Sequence, residues 1–82
     1  MSKTPLVKVV WHDSILDTSG WIDLDSYDFQ SHTNSMRMET VGYCIKSTDE
    51  AVFLAQSIGN NQVVSVISIP SGCILSIIKI KE

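Results

Sequence analysis

Eighty-two residues with a net charge of −3 and 44% apolar side chains fit a single small domain and nothing larger. Ten Ile and eight Val stand against five Leu and two Ala. That ratio argues against a helical bundle and for a sheet or barrel, because β-branched side chains suit pleated strands while Ala favours helix.

Leu6-Val-Lys-Val-Val-Trp-His12 reads as a first strand, with Val7, Val9 and Trp11 on one face and Lys8 and His12 on the other. Residues 13–35 follow as an irregular acidic insertion. Asp13 to Gly20 is rich in turn formers. Trp21 to Phe29 fits one or two helical turns, with Ser19 as a cap, but its Ile22 and Leu24 also alternate with Asp23 and Asp25. Gln30 to Ser35 is polar and reads as a loop.

Met36 to Ser47 is the second strand, in which Gly42 marks a bulge or a bend. Thr48-Asp49-Glu50 is a tight turn, and Ala51 to Ile58 a third strand that is apolar on both faces. Gly59-Asn60-Asn61 signals a hairpin, since Gly and Asn tolerate positive φ. Gln62 to Ile69 is the fourth strand. Pro70-Ser71-Gly72 interrupts the ladder because proline lacks a donor. Cys73 to Ile80 is the fifth strand, with Ile74, Ile78 and Ile80 expected on one side and Leu75 and Ile77 on the other.

Charge is unevenly placed. Five Asp against Lys3 and Lys8 give residues 1–30 a charge of −3, and residues 31–82 balance to zero. Six basic residues make a poor general binder of nucleic acid, where Lys and Arg drive phosphate contact. Cys44 and Cys73 have no CxxC spacing and are expected as free thiols of a reducing cytoplasm, with a Cys44–Cys73 bridge as the alternative. The first residues lack the apolar core of a signal peptide, and no apolar run approaches the length of about 18 residues that spans a membrane.

Candidate binding residues fall in two groups. Trp11, Asp13 and Ser14 put a ring, a carboxylate and a hydroxyl at one strand end. They suit either a recognition loop for a base or sugar, or a core Trp whose neighbours cap a turn. Trp21 is either a lid over a ligand or a plug in a barrel mouth. Gln56, Ser57 and Asn61 offer a neutral hydrogen-bonding rim, or ordinary hairpin chemistry. His12 between Asp13 and Trp11 does not make a catalytic relay, because neighbours on a strand point to opposite faces. Asp13, Asp17, Asp23, Asp25 and Asp28 lack the pattern of a calcium loop, and His12, His32, Cys44 and Cys73 lack zinc-ligand spacing. No cofactor and no enzyme activity are expected.

Trp11-His12-Asp13-Ser14, Gly20-Trp21, Val41-Gly42-Tyr43, Leu54-Ala55-Gln56-Ser57 and Ile69-Pro70 together resemble small bacteriophage proteins. The strand pattern is similar to SH3-like and Sm-like β-barrels, in which a one-turn 3₁₀ element precedes the last strand. Here residues 69–74 occupy that place. The resemblance implies a mainly β, five-stranded barrel with a short helix or loop insertion after the first strand. It also implies a phage accessory protein in the host cytoplasm. The basic, Asn/Gly-rich RNA-binding loops of Sm proteins are not matched.

Ile and Val on both faces of the last strands exceed what one small barrel buries, so a homo-oligomer is expected. The leading expectation is a non-enzymatic, anti-defence binding protein that sequesters a small ligand such as a nucleotide signal. The alternatives are a protein–protein interaction or assembly module that uses the acidic 13–28 surface, and an Sm-like RNA-binding protein.

Overall fold

The computed structural model describes residues 4–14, 16, 18, 20–31 and 36–81. Five strands run in chain order: β1 (Leu6–His12), β2 (Arg37–Ser47), β3 (Ala51–Gly59), β4 (Gln62–Pro70) and β5 (Ile74–Lys79). They form one antiparallel sheet in the order β4-β3-β2-β1-β5. The sheet is not closed: β4 and β5 are its two edges.

β2 is the longest strand because two neighbours share it. Its residues from Arg37 to Tyr43 pair with β1, and its residues from Tyr43 to Ser47 pair with β3. Gly42 sits at the crossover and is buried. A Cβ there would lie 3.0 Å from the Ala55 carbonyl oxygen and 3.1 Å from the Leu54 Cβ. Only glycine admits so close an approach of two strands. The bulge lies elsewhere. Cys44 opposes Leu54 and Lys46 opposes Phe53, so Ile45 is the extra residue.

The turns follow the local chemistry. Thr48 Oγ1 accepts from the backbone N–H of Glu50 and of Ala51, and the Thr48 N–H donates to the Ala51 carbonyl at 2.9 Å. Asn60 (φ 52°) and Asn61 (φ 59°) form the centre of the β3–β4 hairpin, closed by Gly59 opposite Gln62. Two left-handed residues give the twist that matches the flanking strands. Pro70 still pairs with Ala51 and ends β4. Ser71–Cys73 then form the single 3₁₀ turn, held by the Ser71 N–H donating to the Glu50 carbonyl at 2.8 Å.

The core is small. Val7, Val9, Val52, Leu54 and Ile69 cluster on one face, with Trp11, Cys44 and Ile74 packed against them. The odd residues of β1 supply it, in keeping with their alternation. The faces of β5 differ from the simple pattern. Ile77 opposes Val9 and Ile74 opposes Trp11, with Leu75 skipped. That irregularity puts Ile74 and Ile77 on the core face and Ile78, opposite Lys8, on the other. Strict alternation fails here because the extra residue inverts every side chain beyond it.

Within residues 13–35, Asp23 to Tyr27 make one hydrogen-bonded turn. The Tyr27 N–H donates to the Asp23 carbonyl at 3.0 Å, and residues 29–31 are helical. Asp17, the Ser19 cap and residues 32–35 of the loop lie outside the described residues. No helix among the described residues is long and apolar enough to cross a membrane.

Beyond Ala55 and Val66 the β3–β4 ribbon leaves the sheet, because β2 no longer pairs with it. At 3.3 Å per residue the free part is about 17 Å long. It contributes to a long molecule of 57 × 22 × 21 Å whose radius of gyration is 16.4 Å, where a globule of this length has about 12 Å.

Candidate functional site

At the C-terminal end of β1, Trp11 lies half-buried against the core. Its indole N–H donates to Thr40 Oγ1 at 2.9 Å. The ring is therefore a wall of the core with its polar atom already satisfied. Asp13 and Ser14 close that turn. The Asp13 N–H donates to the Met36 carbonyl at 2.8 Å, and Asp13 Oδ1 accepts from the Ser14 N–H at 2.8 Å. Both side chains remain exposed.

Trp21 does not plug the fold. It is fully exposed, as are Leu16 and Leu24. Among the described residues this acidic segment contributes none that is buried, so none of them draws the ring inward. Tyr27 and Phe29 stack edge to face with centroids 4.6 Å apart, a local contact within the same segment.

Gln56, Ser57 and Asn61 stand on the projecting ribbon. Ser57 lines a shallow, open concavity together with Ile58, Asn60, Gln62, Val63 and Val64. Amide and hydroxyl groups there border three apolar residues, Ile58, Val63 and Val64, a mixture that suits a small polar ligand with one flat apolar face. Gln56 and Asn61 flank this concavity without lining it. No strand pairing joins this group to Trp11, Asp13 and Ser14 among the described residues. The seven candidates thus form a β1-end group, a ribbon group and an isolated Trp21.

Three features escape a reading of the sequence. Thr40 partners Trp11 only because the β1–β2 register places Trp11 opposite Met38. Glu39 reaches Lys8 Nζ at 3.4 Å and Arg37 at 3.7 Å, which occupies two of the chain's few cations. Both pairs are well exposed, so they add little to stability. Ser65 takes a left-handed φ of 56° within β4, a conformation that no neighbouring glycine or asparagine signals. Cys44 and Cys73 are both free and half-buried.

Large apolar side chains are distributed unevenly. Among the described residues seven hydrophobic residues are buried, while fourteen large ones are exposed. Of those fourteen, Ile58, Val63, Val64, Val66 and Ile67 lie on the β3–β4 hairpin and Leu75, Ile77 and Ile78 on β5. Not one residue from Ala51 to Ile78 carries a charge.

The fold and surface thus define a small antiparallel β protein with two apolar edges, β4 without a charge and β5 with only its terminal Lys79. Comparison with protein-family models, with curated proteins and with solved structures returned no match.

Proposed function

We propose that this chain is a non-enzymatic binding protein that works as a homo-oligomer on a bent SH3-like or Sm-like barrel. The observation that carries the reading is the pair of apolar edges, uncharged but for Lys79 at the end of β5. A lone sheet edge in soluble proteins is normally guarded by Lys, Pro or a covering element, and β4 has only the Pro70 at its foot. The barrel assignment is supported by the strand order, by the sharing of β2 between two neighbours and by the 3₁₀ turn before β5.

In this reading the protein is a bacteriophage accessory factor of the host cytoplasm. It sequesters a small ligand, such as a nucleotide signal of host defence, where subunits meet. The ribbon concavity, with its neutral polar rim and its Ile58 and Val63, supports a ligand of that kind. Light scattering tests the oligomer, and a thermal-shift screen of cyclic and linear nucleotides tests the ligand. A monomer removes the first part, and no stabilisation by any nucleotide removes the second.

One observation favours the interaction-module alternative: fully exposed Trp21 beside Leu24 in an acidic segment is a suitable anchor for a basic protein partner. A stoichiometric partner lost on Trp21→Ala supports that alternative. The RNA-binding reading gains nothing from the charges, since Lys8 and Arg37 share Glu39.

A further inference from the structure

We propose that the outer part of the β3–β4 hairpin, residues 57–64, is an arm that swings as one body about a hinge at Gln56 and Ser65. The inference goes beyond the binding role proposed above and holds for each subunit whatever its association.

Three separate observations fall at the same level of the hairpin. The first is pairing. Tyr43 opposite Ala55 is the last pair that joins β3 to β2, so no third strand supports the hairpin further out. The second is burial. β3 is buried or half-buried from Ala51 to Ala55 and exposed from Gln56 onward. The third is the ladder between β3 and β4. Ala55 opposes Val66 and Ser57 opposes Val64, but Gln56 and Ser65 between them do not form a pair. The register is the same on both sides, so no residue is inserted and the ladder is cut in both strands at once. Ser65 holds its left-handed φ of 56° at that point, a costly conformation for a residue with a Cβ. Local stability is lowest where packing and regular pairing both end.

What lies beyond the cut has its own closure. Ser57 pairs with Val64, Ile58 with Val63 and Gly59 with Gln62, and the left-handed Asn60 and Asn61 turn the chain at the tip. Every residue that lines the shallow concavity falls between Ser57 and Val64. The hinge therefore carries the concavity whole. It changes the angle of the concavity to the sheet without changing its shape, the hallmark of hinge motion about a few backbone positions.

Residual dipolar couplings of the full, isotope-labelled chain test this. Couplings from residues 57–64 are expected to fit one alignment tensor, smaller by about a third or more than that of the sheet. Ser65→Val introduces a β-branched residue that resists the left-handed region. It should return position 65 to extended backbone, close the ladder at Gln56 and bring the arm to the tensor of the sheet. Ser65→Gly takes either conformation and should leave the arm moving. Unchanged couplings within the sheet show that each variant still folds. A wild-type arm that shares the full tensor of the sheet overturns the hinge. Couplings that fit no single tensor overturn it as well, because the hairpin then frays instead of swinging. An arm as mobile in Ser65→Val as in wild type removes Gln56 and Ser65 as the pivot.

Discussion

The indole N–H of Trp11 and the hydroxyl of Thr40 meet at 2.9 Å across the β1–β2 pair, diagonal neighbours because Trp11 sits opposite Met38. This bond fixes the ring against Ile74 and the core, and it gives Trp11 a structural duty regardless of any ligand. Thr40→Val leaves a partly buried N–H without its partner and is expected to cost about 1 kcal/mol, read by urea unfolding. If stability is unchanged, the bond contributes nothing and Trp11 is free to serve a ligand.

Gly42 and Gly72 make a paired test of the β2 crossover. A methyl at Gly42 meets the Ala55 carbonyl oxygen at 3.0 Å, while one at Gly72 meets nothing within 4 Å. Gly42→Ala should therefore destabilise by about 1–3 kcal/mol, and Gly72→Ala should stay within about 0.5 kcal/mol of wild type. Equal midpoints for the two variants contradict the close approach.

The hairpin turn requires two left-handed residues. Asn61→Gly keeps that conformation at no steric cost. Asn61→Ala must adopt φ near 59° with a Cβ and is expected to lose about 1 kcal/mol. Denaturation midpoints that rank Ala above Gly would contradict the observed turn.

Core and ribbon should respond differently to truncation. Leu54→Ala removes one of the largest fully buried side chains and is expected to cost about 2–5 kcal/mol. Ile58→Ala, on the exposed ribbon, should cost under about 0.5 kcal/mol in the monomer while weakening association. Dilution series by light scattering and unfolding at low concentration separate the two effects. A large loss of monomer stability at Ile58 places it in the core instead.

What local chemistry dictates was legible in the chain itself. The Ile and Val excess, the odd-residue stripe of β1, the Thr48 turn, the Gly59–Asn61 hairpin and the break at Pro70 each act over a few residues. Periodicity and turn propensity report such effects directly. What depends on register was not. The extra residue at Ile45, the irregularity at Leu75 that turns Ile77 to the core face, and the Trp11–Thr40 bond all arise where distant strands meet. The exposure of Trp21 and the departure of the ribbon from the sheet belong with these. Each is decided by which neighbour a strand has and where that pairing ends, and burial follows from that pairing rather than from hydrophobicity alone.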